Sequence, residues 1–319
     1  MSVVVLVLIC VASIAVGAKS VPVSEVWDGL FHNTGTGNDV IIRDVRVPRT
    51  LLGLVVGAAL GLSGAVMQAL TRNPLAEPGL LGVNAGAAAA VVSAISFLGV
   101  TSLTGYIWFA FAGAAAVSAA VYVLGGSRSA TPVRLALAGT AATAALYGYI
   151  NAVQLLDSAA LERLRFWTVG SLASADMDTV VKILPFIGTG LFLALLLARP
   201  LNAMEMGDDT ARALGAHLNR TRVLSMLAVT LLCGAATAAC GPIIFVGLMI
   251  PHVVRAITGP DMRWILPYAV VLAPVLLLGA DVIGRVITRP SELQVGIVTA
   301  LVGGPVFIHL VRRKRMAQL

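Results

Sequence analysis

Charge is scarce in this 319-residue chain: Asp, Glu, Lys and Arg make up 12% of it, against 58% hydrophobic residues and a mean hydropathy of +0.94. So few polar side chains cannot cover a water-soluble surface, which excludes a soluble globular domain and leaves a protein of the lipid bilayer. Cysteine is nearly absent too. Cys10, Cys233 and Cys240 all fall inside apolar runs, where each behaves as a small hydrophobe, so neither a disulfide framework nor a thiolate metal site is expected. The four histidines, His32, His217, His252 and His309, have no metal-ligand spacing among them, and HExxH is missing. Ser63 in GLSG falls one residue short of a nucleophile elbow and reads as a helix-packing residue. No GxxxxGK(S/T) occurs, so any ATP hydrolysis must belong to another chain. The chain is therefore not expected to be an enzyme, and no catalytic residue, metal or cofactor of its own is assigned to it.

What the chain has in quantity is long apolar runs. Crossing the hydrocarbon core takes about 20 helical residues at about 1.5 Å each, and the runs between charge clusters number roughly ten. They cover about 3–18, 50–70, 81–98, 105–124, 134–155, 179–198, 221–240, 243–258, 265–284 and 295–311. Little chain is left over, so residues 1–319 are expected to form a single all-α transmembrane domain. The first run has no basic segment before it and no small-residue cleavage motif, and Lys19 follows its apolar part, so it reads as a retained helix.

Orientation follows from the arginines. Arg312, Arg313, Lys314 and Arg315 close the last run, which places that end in the cytoplasm, and an even number of spans puts the N-terminus there as well. On this topology the inward loops hold Arg72, Arg128, Arg134, Arg199, Arg212, Arg220, Arg222, Arg255 and Arg263 and are basic. The outward loops hold Arg43, Arg46, Arg49, Arg163, Arg165, Arg285 and Arg289, offset by acids that include Asp28, Asp157 and Glu292. The net charge of +7 is thus a matter of membrane orientation, and nucleic acid need not be invoked.

Within the runs ionisable groups are few. Asp281 and Arg285, at i and i+4, read either as a self-neutralised structural pair or as the ion-binding group of an ion-coupled secondary carrier. Gly53, Gly57 and Gly61 in LLGLVVGAALGLSG repeat every four residues and make one helix face bare for close packing. Gly241 and Pro242 break a run at its outer end, and Pro251 and His252 are expected to turn the chain at its inner end toward Arg255. His252 reads as structural or partner-facing, having no evident carboxylate partner for a proton relay. In RNPLAEPG, residues 72–79, Pro74 and Pro78 stop helix propagation and fix an irregular cytoplasmic turn that also carries Arg72, Asn73 and Glu77. The longest inward loop, 199–222, contains DDTARALG. Its stretch 208–218 predicts a short helix with Asp208 and Asp209 at the positive N-terminal end and Ala211, Leu214 and Gly215 on one small, apolar face. That helix reads as a solvated loop or as a knob for a partner's groove.

Taken together, these segments resemble one family. RVPRTLLGLVVGAALGLSGAVMQALTRNPLAEPGLLGVNAG (46–86), FWTVGSL (166–172), DDTARALG (208–215), CGPIIFVGLMIPHVVRAITGPDMRWILP (240–267) and LQVGIVTALVGGPVFIHL (293–310) look like the ABC importer permeases for iron-siderophores, haem and vitamin B12. The resemblance implies a type II importer permease of about ten helices in the bacterial inner membrane, paired with itself or a paralogue. It also implies two ATP-binding subunits that hold ATP and magnesium, and an extracytoplasmic substrate-binding protein. The cargo it favours is an iron-siderophore complex, with haem or vitamin B12 as alternatives. Residue by residue, it makes Asp208, Asp209, Ala211, Arg212, Leu214 and Gly215 the ATPase-coupling element. Arg46 and Arg49, and more weakly Arg289, become docking positions for the binding protein, and Arg72, Asn73, Pro74, Glu77 and Pro78 part of the inward gate. Gly241, Pro242, Pro251, His252 and Arg255 are further family positions. Ile244, Gln294 and Gly304 depart from the family's commoner glycine, proline and alanine.

Overall fold

The computed structural model describes residues 1–17, 22, 25–27, 29, 32, 37–100, 102–126 and 131–316. Lys19, Asp28 and Arg128, which entered the orientation reading, lie outside the described residues. Among those described, all regular structure is helical. The helices are α1 (Ser2–Ala15), α2 (Val47–Thr71), α3 (Val83–Leu98), α4 (Leu103–Leu124), α5 (Pro132–Leu156), α6 (Ser158–Trp167), α7 (Met177–Leu196), α8 (Ala198–Glu205), α9 (Asp208–Ala213), α10 (Leu218–Cys240), α11 (Val246–Thr258), α12 (Met262–Ile287) and α13 (Val295–Met316).

Helix α2 is the axis of the bundle, with α12, α10, α11 and α7 packed around it. The glycine stripe is what permits this. A Cβ on Gly57 would lie 2.6 Å from the Pro274 Cα, and one on Gly61 2.9 Å from the Ala269 carbonyl oxygen, so the bare face lies directly on α12. One turn on, a Cβ on Gly64 would collide with the Gly247 carbonyl, which brings α11 equally close. Helix α3 packs on α4 and α5; one large apolar core joins α2 to the helices after it, and a small separate cluster of Ala15, Val26 and Ile42 lies at the end of α1.

The expectation of about ten spans is met in part. Among the described residues, six helical stretches are long and apolar enough to cross a bilayer, and four further apolar helices, Ser2–Ala15, Val83–Leu98, Val246–Thr258 and Val295–Ile308, are shorter. Gly82 (φ 72°) holds the start of α3 back beyond the 3-10 turn Pro78–Leu81, and Gly241 (φ 72°) with Pro242 delays α11 until Val246. At about 1.5 Å per residue the 16 residues of α3 and the 13 of α11 reach about 24 and 20 Å, short of the roughly 30 Å hydrocarbon core.

Two local expectations also change. Pro251 does not end its helix; it lies inside α11, which runs on to Thr258. The loop segment is not one helix over 208–218 but α9 ending at Ala213, then a turn through Gly215 (φ 81°) into α10.

Candidate coupling and gating site

The short helix α9 is fastened on one side and bare on the other. Asp208, in its first turn, accepts from Arg72 Nη2 through Oδ1 and from Arg222 Nη2 through Oδ2, each at 2.6 Å. One carboxylate thereby ties α9 to the turn after α2 and to the start of α10, and such charge-assisted bonds are among the stronger polar contacts. Ala211 is fully buried beneath it. Asp209 and Arg212 point outward and pair only with each other at 3.0 Å, and Leu214 is 63% exposed. Gly215 donates its amide to the Arg212 carbonyl, and a Cβ there would meet nothing within 4 Å. Its glycine answers to backbone hand, not to space, as at an αL helix end. Of the six predicted coupling residues, Asp208 and Ala211 thus anchor, while Asp209, Arg212, Leu214 and Gly215 form the free edge. Nothing in this constellation performs bond chemistry; it presents an apolar tip on a charge-locked base.

The RNPLAEPG turn leaves α2 through Arg72, in the left-handed conformation (φ 50°). Asn73 donates its amide to the Gln68 carbonyl at 3.1 Å and accepts the Leu75 amide on its side chain at 2.9 Å, an Asx turn that starts the reversal at Pro74. The chain then climbs back into the bundle instead of skimming the surface. Ala76 is fully buried, the Glu77 carboxylate faces the Phe245 amide, and Pro78 lies 3.5 Å from where a Gly247 Cβ would be. Beneath the turn, Gln68 donates to the Leu248 carbonyl at 3.1 Å and accepts from Arg255 Nη1 at 2.5 Å, while Arg255 Nη2 lies 3.8 Å from Glu205. Burial pushes the Glu205 carboxyl above the usual carboxylate range, and Arg255 draws it part of the way back. Gln68, Arg72, Asn73, Pro74, Glu205 and Arg255 line one cleft here. Sequence reasoning brought Arg255 and the turn forward but gave Gln68, Glu205 and Arg222 no place in the site. Their partners lie 14 to 187 residues away, in other elements, and no local pattern signals such pairs.

At the other end of α10, Gly241 caps the helix, and a Cβ on it would collide with the Trp167 carbonyl. The 167–171 strap is stitched to both neighbours: Ser171 donates to the Cys240 carbonyl at 2.8 Å, and Gly296 donates to the Gly170 carbonyl at 3.1 Å. Phe245 sits at φ 70°, a strained hand for an aromatic residue, and caps α11. Ile244, next to it, lines a cleft with Asn84, Tyr147, Pro242 and Gly296. His252 is buried in α11, its ring 6.4 Å edge-on from Phe307.

The outer arginines are placed differently from expectation. Arg46 and Arg49 are each only 5% exposed. Arg46 Nη1 donates to the Ile14 and Ala15 carbonyls at 2.6 and 2.9 Å, capping the C-terminal end of α1. Arg49 binds Asp281 through Nη2 at 2.7 Å and Glu292 through Nη1 at 2.7 Å. Both side chains are therefore turned into the protein. Arg289 is exposed, with Nη2 donating to the Gly17 carbonyl at 2.7 Å. Asp281, fully buried, is held by Arg285 at 2.7 Å as well as by Arg49, and Arg285 itself donates to the Ser13 and Val16 carbonyls. A carboxylate locked between two guanidinium groups is a structural anchor, which removes the feature that had favoured an ion-coupled carrier.

The FecCD transport family pattern matches residues 5–313, a stretch containing every site residue named in this subsection. The chain belongs to the FecCD transport family. It is 47% identical, over 95% of its length and 91% of the relative's, to the ferric enterobactin transport system permease protein FepD of Escherichia coli (strain K12). It is 38% identical, over 95% and 91%, to the siderophore transport system permease protein YfiZ of Bacillus subtilis (strain 168). A solved metal-chelate type ABC transporter in an inward-facing conformation superposes with a TM-score of 0.87 at 27% identity, covering 98% of this chain and 97% of that one. FecCD relatives are named as permeases, in keeping with a transport role.

Proposed function

We propose that this chain is the transmembrane permease subunit of an ATP-driven importer and that its cargo is an iron-siderophore complex. The observation that carries the transport reading is the architecture of α9: charge-locked at Asp208, seated by Ala211, and free at Leu214 and Gly215. An element fixed so firmly at its base and left apolar at its tip suits the groove of an ATP-binding subunit. The cargo rests on the likeness to FepD, with haem and vitamin B12 as the alternatives within the family.

In this reading the whole chain is one permease domain, and the four shorter helices complete about ten crossings beside the six long ones. The protein lies in the bacterial inner membrane with both termini in the cytoplasm. Two copies, or one copy and a paralogue, assemble around the path, with α5 toward the partner. Asn151 and Thr140 support that placement, since both are exposed on an apolar helix where lipid would be a poor neighbour for an amide. Two ATP-binding subunits, which hold ATP and magnesium, engage α9, and an extracytoplasmic binding protein delivers the cargo to the outer face, where Arg289 remains as a docking position. Nucleotide-dependent contacts at α9 shift the permease between outward and inward access.

The test is uptake of a labelled panel of ferric siderophores, hemin and vitamin B12 by cells with and without the chain, its ATP-binding subunit and its binding protein present. ATP-dependent uptake of a ferric siderophore, lost with the chain and in Gly215→Trp, is expected. Uptake that survives Gly215→Trp removes the coupling assignment, and uptake of another cargo alone replaces the substrate.

A further inference from the structure

The RNPLAEPG turn is gripped by a charged group at each end. At its cytoplasmic end Arg72 holds Asp208 of α9 at 2.6 Å. At its buried end the Glu77 carboxylate faces the Phe245 amide at the cap of α11, and Pro78 lies 3.5 Å from where a Gly247 Cβ would be. The segment is stiff along this length: Pro74 and Pro78 fix their own φ and restrict the residue before each, and Asn73, Ala76 and Leu80 all donate backbone hydrogen bonds within five residues. The Leu80 carbonyl then lies so close to Gly139 of α5 that a Cβ there would collide with it.

The far end of this segment is deep. Gly247, two residues past Phe245, lies against Gly64 and the Leu60 carbonyl, about 10 Å or more up from the Thr71 end of α2 at 1.5 Å per residue. Phe245 also fills the space beside α13, where a Cβ on Gly303 would be 2.7 Å from the Phe245 Cβ. Its left-handed backbone is held only by the surrounding structure, and such positions are where a small displacement is felt. The cleft lined by Ile244, Gly296 and Asn84 is immediately adjacent.

We propose that Arg72 and Glu77 make this turn a lever that carries displacement of α9 to the break between α10 and α11, in the interior of the bundle beside the transport path. The inference rests on the permease reading and adds to it the positioning residues through which nucleotide-driven movement enters the membrane. A parallel route is available through Arg222 and the rod of α10, so the lever makes a specific demand: Arg72 and Glu77 must act as one unit, and Arg222 need not belong to it.

The test uses the assembled complex with its ATP-binding subunits in nanodiscs, an environment-sensitive fluorophore on Ile244→Cys, and Cys10→Ala to remove the half-exposed native thiol. ATP should change the signal in the parent protein. Arg72→Gln and Glu77→Ala should each cut that change about fivefold or more while ATP hydrolysis continues, and the double variant should lose no more than either alone. Glu77→Gln, which keeps an acceptor for the Phe245 amide, should retain most of the signal, and this separates a lost connection from lost packing. A full ATP-driven change in Arg72→Gln, or additive losses in the double variant, overturns the lever and leaves the permease reading intact. Absence of both complex formation and any ATP-driven change in the parent protein overturns the permease reading, and the lever with it.

Discussion

Helices α2 and α5 are both 25 residues long and both apolar, yet the bundle treats them oppositely. Of the most apolar stretch of each, 83% is buried in the helix ending at Thr71 and 17% in Val133–Leu156. The difference is written in the glycines. Gly53, Gly57, Gly61 and Gly64 of α2 each lie where a Cβ would press on another helix, whereas in α5 a Cβ on Gly139 would press on the 3-10 turn Pro78–Leu81 and one on Gly148 has nothing within 4 Å. Tyr147, Tyr149 and Leu155 of α5 are likewise exposed. In a bilayer apolarity alone does not bring helices together, because lipid tails are as apolar as leucine; close backbone approach does. The central helix is therefore recognised by what it lacks on one face, and the peripheral one by side chains that find no neighbour in their own chain.

The comparison can be broken most severely at Gly64. Gly64→Val places carbon against the Gly247 carbonyl, where two backbones meet and no rotamer can yield, so the loss should exceed the about 1–3 kcal/mol of ordinary overpacking. Little monodisperse protein should be recovered after detergent extraction; normal recovery and melting would show that α2 and α11 can separate without harm. Next in size is Asp281→Ala, which leaves the buried Arg49 and Arg285 without their shared carboxylate and should cost about 3–5 kcal/mol, read as a lower thermal midpoint. An unchanged midpoint together with lost uptake would instead return Asp281 to an ion-binding role. The smallest effect belongs to α5. Gly148→Ala should change the stability of the isolated chain by no more than about 0.5 kcal/mol, while weakening self-association measured by light scattering if a second subunit packs there. Equal stability and equal association would place that face of α5 against lipid.

Much of the bundle is legible in the residue pattern alone. Hydropathy marks the apolar runs, and the helices largely follow them; the four-residue glycine repeat names the face of α2 that meets α12; DDTARALG and RNPLAEPG point to the loop elements that come together. The full strength of the helix breaks is not legible, because Gly82 and the 241–245 stretch shorten α3 and α11 through backbone conformation that leaves hydropathy unchanged. The surface helix α6 also escapes a reading by hydropathy. Its cap, Asp157 accepting the Ala159 and Ala160 amides at 3.0 and 3.1 Å, is a local signal from which it could have been found.

The sequence by itself determined the class of the protein: with 12% charged residues and apolar runs throughout, only a membrane bundle can satisfy both the side chains and the backbone. It determined the family as well, through segments spread along nearly the whole chain. Only the tertiary structure decided what the charges do. Arg46 and Arg49 had the look of an outer docking surface and turn out to hold α1 and Asp281, while Arg72 at an ordinary turn proves to hold α9. A hydrophobic run reports its environment from its own composition. A charged side chain is settled by partners up to 272 residues away, and nothing in its neighbourhood along the chain records which one it will meet.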